Sequence, residues 1–178
     1  MTERLCSGYH AALMLDCLPE RIEPVGLADA GRSFRGEVPV SELMRLRPSL
    51  SSTDGVLRVE LEFRRDERRV RILAGRIRGT VDLVCQRCLE TLGFPLDIDF
   101  RLGIVADDAE VVRLPDGYEP LLVTGEPLQT FEVIEDEVLL AIPVIPLHEG
   151  VDSCDSGYVN QPRAEKENPF AVLAKLKL

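Results

Sequence analysis

The sequence predicts an α+β protein: an antiparallel β-meander with a cysteine-bearing hairpin, one central amphipathic helix and a short C-terminal helix. Two observations predict the sheet: apolar and polar residues alternate in the segment before residues 85–88 (CQRC), and they alternate again in the segment after them. A period of two is typical of strands that bury one face. The third observation is a helical period in residues 131–142, which places apolar side chains on one face.

The first part of the chain carries weaker signals. Residues 1–19 show no regular period, so we expect a poorly ordered N-terminal extension before a single α+β domain at 20–148. Residues 22–27 predict a first strand, with Pro24 near its start or on a sheet edge. Residues 39–46 predict a short helix that ends before a proline.

The central meander is predicted by four alternating segments. Residues 57–63 and 70–74 have their apolar side chains at odd and even positions respectively, and residues 77–85 return to odd positions. One extra residue near Gly75 would reconcile the last two segments, so the pattern predicts a β-bulge there. Residues 92–104 alternate again and complete a hairpin whose turn holds the cysteine pair.

The C-terminal part predicts one strand and two helices. Residues 120–123 favour a short strand, and Thr130 is a candidate N-cap for the helix at 131–142. A polar linker at 149–167 then leads to a C-terminal docking helix at 168–178. The docking helix begins with Asn-Pro, which is a helix-start pattern.

Composition and charge narrow the class of protein. Five cysteines, an odd number, without a recognisable export signal favour a reducing compartment, and we expect a cytoplasmic protein. Residues 1–90 carry 15 arginines against 14 acids (net +1), whereas residues 91–178 carry 6 basic and 17 acidic residues (net −11). This acidity disfavours non-specific nucleic-acid binding and favours a basic protein partner. No apolar segment predicts a membrane span.

Four side chains form a candidate metal site: Cys85, Cys88, His148 and Cys154. A Cys₃His set is a known composition of structural zinc sites, so the expected cofactor is one structural Zn²⁺. The two pairs are separated by 59 residues, and closing such a loop costs only about 3–4 kcal/mol. The alternative is a set of reduced cysteines without metal. A redox role is disfavoured, because reactive Cys-x-x-Cys pairs usually precede a helix rather than join two strands.

Several arginines project from the predicted hairpins and could bind RNA phosphates. The candidate RNA-binding residues are Arg69, Arg71, Arg76, Arg78 and Arg87. Acidic residues share the same segments and no aromatic residues interleave, so a solvated face of mixed charge is the alternative. The chain has no glycine-rich phosphate loop, nucleophile elbow or zinc-protease motif, and we therefore expect no enzyme activity and no small-molecule substrate.

Four segments together resemble the bacterial YceD family, the large ribosomal RNA subunit accumulation proteins, which have relatives in chloroplasts. They are residues 84–88 (VCQRC), 118–120 (YEP), 135–148 (EDEVLLAIPVIPLH) and 168–177 (NPFAVLAKLK). The resemblance covers roughly residues 20–178. It implies a non-enzymatic ribosome-biogenesis factor that supports synthesis, processing or stability of 23S rRNA, with large-subunit rRNA or a basic ribosomal protein as partner. The alternative is a zinc-stabilised protein–protein adaptor without a specific rRNA role.

Overall fold

The computed structural model describes residues 14–15, 17–149 and 154. The described residues form nine strands, three α-helices and two short 3₁₀ helices at Val40–Glu42 and Arg47–Ser49. The strands are β1 (Met14–Leu15), β2 (Arg21–Ile22), β3 (Ser33–Pro39), β4 (Leu50–Ser52), β5 (Val56–Arg65), β6 (Arg71–Val84), β7 (Thr91–Val105), β8 (Glu119–Leu122) and β9 (Leu128–Gln129). The helices are α1 (Pro24–Asp29), α2 (Asp108–Val111) and α3 (Thr130–Ala141).

The main sheet has the order β1-β3-β5-β6-β7-β8, and β4 pairs with β6 beyond the end of β5. Its centre is an antiparallel arrangement of β3, β5, β6 and β7. The alternating pattern predicts β5, β6 and β7, with the segments at 70–74 and 77–85 both belonging to β6, whereas β3 was not predicted. The two outer strands, β1 and β8, instead pair in parallel with β3 and β7. A separate ribbon joins β2 to β9 and brings the N-terminal part of the domain to the start of α3.

The core lies on one face of the meander. Leu57, Leu61 and Phe63 of β5 and Leu73 and Ile77 of β6 are almost completely buried. Val133, Ile134 and Val138 of α3 complete the same cluster of buried residues. This burial explains why β5 and β6 alternate so regularly, because a shift of one residue would turn every apolar side chain to the other face.

Strand β6 runs through Gly75 without the predicted bulge, and that prediction is wrong. Gly75 lies opposite both Leu61 and Phe100 in regular register. Leu73 points into the core, and the neighbouring Ile72, on the other face of the strand, is also completely buried. The apolar residues of β6 therefore change from even to odd positions without an extra residue in the strand. Gly75 is needed for packing instead, since a Cβ there would lie 2.0 Å from Cζ of Phe100.

Three local predictions differ from the structure. The strand expected at 22–27 ends at Ile22, because Pro24 starts α1, where its missing N–H is harmless. The helix expected at 39–46 is only the 3₁₀ turn after β3. The N-cap of α3 is Gln129 rather than Thr130, whose hydroxyl donates to the Pro19 carbonyl at 2.5 Å.

The described residues cover the expected domain boundaries only in part. Met14–Leu15 pairs with β3, and the rest of residues 1–16 lies outside the described residues. The linker at 149–167 is described only at Glu149 and Cys154, and the C-terminal docking helix at 168–178 is outside. Both boundaries therefore stay predictions.

Candidate metal centre

The candidate site begins at the turn between β6 and β7, as the alternating pattern predicts. The turn closes through a backbone hydrogen bond in which Cys85 N donates to Glu90 O at 2.9 Å. Inside it, Leu89 N donates to Cys85 O, also at 2.9 Å. Leu89 has a φ of 63°, an uncommon conformation for a leucine. The tight turn directs Cys85 and Cys88 toward the same point.

The segment that follows α3 supplies the other half of the site. Gln86 N donates to Pro146 O at 2.9 Å, which attaches this extended segment to the cysteine turn. Two residues later, His148 Nε2 donates to the Thr91 carbonyl at 3.2 Å. A proton on Nε2 leaves Nδ1 as the lone-pair nitrogen, so this contact orients the ring and fixes its ligating atom.

The four predicted ligands converge on one point. One ligand atom from each of Cys85, Cys88, His148 and Cys154 lies within 4.8 Å of all the others. The Sγ atoms of Cys85 and Cys154 are 3.5 Å apart. Nδ1 of His148 lies 3.5 Å from Cys88 Sγ and 3.2 Å from Cys154 Sγ.

These distances fit a tetrahedral ion. Zinc bound to sulfur at about 2.3 Å and to nitrogen at about 2.0–2.1 Å places neighbouring ligand atoms roughly 3.6–3.8 Å apart. The contacts of 3.2–3.5 Å fall just below that range, and the widest separation, at most 4.8 Å, exceeds it, so side-chain adjustments of about 1 Å or less are needed. Three thiols and one imidazole are also soft and borderline donors, which select zinc over magnesium or calcium.

The electrostatics of the cluster favour a metal-binding thiolate at Cys85. Burial raises the pKa of this thiol, but the backbone N–H groups of Cys88, Arg87 and His148, with the Cys154 thiol, outweigh burial and lower the pKa to about 5. Burial and the neighbouring sulfurs of Cys85 and Cys88 raise the pKa of Cys154 to about 11. Backbone N–H groups that point at a sulfur stabilise its negative charge whether or not metal is bound.

The same geometry disfavours thiol–disulfide exchange. A redox cysteine needs a thiolate that an external disulfide can reach. The low-pKa sulfur here belongs to Cys85, which is completely buried, and its neighbour Cys154 is buried as well. Cys88, which is only partly buried, joins two strands rather than starting a helix.

The five arginines predicted to bind RNA do not form one patch. Arg69 lies in the turn between β5 and β6, whereas Arg87 lies in the cysteine turn at the other end of β6. At about 3.3 Å per strand residue, these two turns are roughly 50 Å apart along the hairpin. Arg71 binds Asp29 of α1, at 2.7 Å from its Nε.

The remaining two arginines are paired across strands on the face opposite the core. Arg78 Nε donates to Asp97 Oδ1 at 2.9 Å, and Arg76 makes a two-point contact with Asp99. A phosphate would have to compete with these carboxylates for the guanidinium groups. RNA binding by the five arginines stays a prediction, and the observed pairing favours the mixed-charge alternative.

Two exposed apolar features were missed by reasoning from the sequence. Leu89 in the cysteine turn is 74% exposed. The segment after α3 exposes Val144, Ile145 and Leu147, three apolar side chains that could equally well have been buried. Their signal was the isolated run of apolar residues between Pro143 and His148, whose burial a sequence cannot decide.

None of the helices among the described residues is both long enough and apolar enough to cross a bilayer.

Comparison with known proteins gives two matches. A family model described as "Large ribosomal RNA subunit accumulation protein YceD" matches residues 73–177, a range that contains all four residues of the metal cluster. The chain is also similar to a curated protein of Haemophilus influenzae with that same description, at 32% identity over 169 residues. The alignment covers 90% of this chain and 96% of that relative. No solved structure matches the chain.

Proposed function

This chain belongs to the YceD family, and from that premise we propose that it supports the accumulation of large-subunit (23S) ribosomal RNA as a ribosome-biogenesis factor. The observation that carries the proposal is the extent of the similarity, which spans 90% of the chain and nearly all of the relative. We propose a binding role rather than catalysis, because the clustered side chains suit a structural metal better than a reaction.

The proposed partner is a basic large-subunit protein in preference to bare rRNA. Residues 91–178 carry a net charge of −11 (6 basic against 17 acidic residues), which repels phosphate and attracts a basic surface. Arg76 and Arg78 are neutralised by Asp99 and Asp97, so they offer phosphate little free positive charge. Pull-down of the chain at rising salt separates the two: enrichment of 23S rRNA that persists after removal of ribosomal proteins would contradict the protein-contact version.

We further propose that Cys85, Cys88, His148 and Cys154 hold one structural Zn²⁺. When bound, the ion would link the β6–β7 turn to the segment after α3. Structural zinc contributes roughly 10–16 kcal/mol in small peptides, well above the cost of closing the intervening loop. Chelation at neutral pH should therefore lower the melting temperature of the chain.

The zinc proposal is tested by metal content per chain, on protein purified without chelator or a metal-affinity tag. We expect about one equivalent, lost in Cys85→Ser, Cys154→Ser and His148→Ala. Gln86→Ala is the matched control, because its side-chain amide donates to the Val84 carbonyl and an amide is not a typical zinc ligand. Absence of zinc from the unaltered chain would leave the cysteines as a reduced, metal-free cluster.

The biological role is tested in a strain that lacks this chain. We expect reduced 23S rRNA and a shortage of large subunits, both restored by the unaltered chain. Normal 23S rRNA in the deletion strain would favour the alternative of a zinc-stabilised protein–protein adaptor. Full restoration by a zinc-free Cys85→Ser variant would instead separate the rRNA role from the metal.

A further inference from the structure

An apolar strip runs from the last turn of α3 along the following segment, toward the cluster of His148 and the cysteines. It consists of Leu140, Val144, Ile145 and Leu147, whose exposed fractions lie between 41% and 98%. Single exposed apolar residues are common, but four within eight residues of sequence are a local concentration of the kind that another segment covers. Because Pro143 and Pro146 interrupt the strip, it cannot continue as a helix or as a central strand.

The part of the chain that lies outside the structure starts next to this strip. Cys154 is the last described residue, and its Sγ is 3.2 Å from Nδ1 of His148, the residue directly after Leu147. Residues 155–178 therefore lead away from the end of the strip. Fifteen residues separate Cys154 from Phe170, and an extended chain of that length reaches about 50 Å, more than the strip requires.

The last eleven residues, 168–178, have the composition that the strip needs. Phe170, Leu173 and Leu176 recur every three residues, so one face of a helix would carry all three. Lys175 and Lys177 make this segment basic, whereas α3 exposes two acidic residues, Glu132 and Asp136, at four-residue spacing from each other and from Leu140. Linkage to the same chain also gives a short tethered segment an effective concentration in the millimolar range.

We propose that residues 168–178 dock on the strip within the same molecule. Phe170, Leu173 and Leu176 cover its apolar side chains, and the two lysines lie toward the acidic residues of α3. Docking places the end of the chain against the metal cluster, so the cysteine turn, the strip and the C-terminal segment form one continuous surface. The proposal is independent of the rRNA role.

The chain contains no tryptophan, so Phe170→Trp introduces a single fluorescent reporter into the full-length protein. We expect blue-shifted emission that does not change with protein concentration, because the indole is buried in the same molecule. Adding Ile145→Asp, or independently Val144→Asp, should return the emission to that of free tryptophan. The matched control is Val112→Asp, which alters an exposed valine after α2 (87% exposed) and should leave the emission unchanged.

Three results would overturn the proposal. Solvent-like emission from the Phe170→Trp protein would mean that the segment is free in the isolated chain and available to a partner. A blue shift that grows with concentration would assign the contact to a second copy. A blue shift that survives both strip substitutions, with native circular dichroism, would place the segment on a different surface.

Discussion

Glu135 is the side chain whose removal should most weaken the attachment of α3 to the sheet. Its carboxylate is only 4% exposed and accepts three hydrogen bonds from a loop 90 residues earlier. Oε1 accepts from Arg45 N at 2.6 Å and from Leu46 N at 3.0 Å, and Oε2 accepts from Arg45 Nε at 3.0 Å. Glu135 thus satisfies backbone donors that no regular secondary structure pairs.

We predict that Glu135→Ala lowers the free energy of unfolding by about 3–5 kcal/mol. Each buried N–H left without an acceptor costs about 1–3 kcal/mol, and the bonds lost here were strengthened by charge. The guanidinium of Arg45 is half exposed and regains water, so its loss adds little.

The matched control is Asp136→Ala, which removes the other carboxylate bound to Arg45. Asp136 is exposed and contacts only the guanidinium, at 2.7 Å, so its loss should cost about 0–1 kcal/mol. Urea unfolding followed by circular dichroism, at fixed zinc, measures both variants; the midpoint should fall while the slope stays constant. Equal destabilisation by the two substitutions would refute the role assigned to the buried carboxylate.

Three further predictions concern single positions. Gly75→Ala should destabilise the protein by about 1–3 kcal/mol, because the new Cβ would overlap the Phe100 ring. Gly93→Ala is the control and should not destabilise it, since no atom lies nearer than 3.8 Å to a Cβ at that position. Equal urea unfolding midpoints for the two variants would contradict this prediction. Leu89→Gly should raise the free energy of unfolding by about 0.5–1 kcal/mol, because glycine adopts the positive φ of this position without strain. A lower free energy of unfolding would show that the exposed leucine side chain makes stabilising contacts. Burial, reinforced by nearby carboxylates, raises the pKa of Glu137 above its ordinary 4.5, so the contribution of Glu137 to stability is full below pH 4.5 and is lost as the pH rises. Glu137→Gln should therefore stabilise the protein at pH 7 but not at pH 4. An equal gain in stability at both pH values would exclude the pKa effect.

The sequence predicts the meander well because each of its hairpins depends on neighbouring residues. The alternation in β5, β6 and β7 is local, and so is the turn that holds the cysteine pair. The short strand expected at 120–123 is β8, but its parallel pairing, like that of β1, could not be predicted, since it depends on which segments the finished fold brings to the sheet edges. Thr130 shows the same limit, because its hydroxyl binds Pro19, 111 residues away, instead of capping its own helix.

The candidate site was predictable in its chemistry and not in its geometry. Cys85, Cys88, His148 and Cys154 stand out as the residue types that zinc selects. Their convergence depends on the bond from Gln86 N to Pro146 O, which has no sequence signal. Three of the five arginines show the converse limit. The carboxylate partners of Arg71, Arg76 and Arg78 become apparent only when the strands are paired.

The long separation between the two halves of the metal cluster has a consequence for how the protein is made. At about 5–20 residues per second, synthesis of His148 follows that of Cys88 by roughly 3–12 s. The β5–β6 and β6–β7 hairpins form on a microsecond scale once they are free to fold. The turn that holds Cys85 and Cys88 can therefore be complete seconds before His148 and Cys154 are synthesised. Until His148 and Cys154 have been synthesised, Cys85 and Cys88 are therefore the only two of the four cluster side chains that a metal ion could contact.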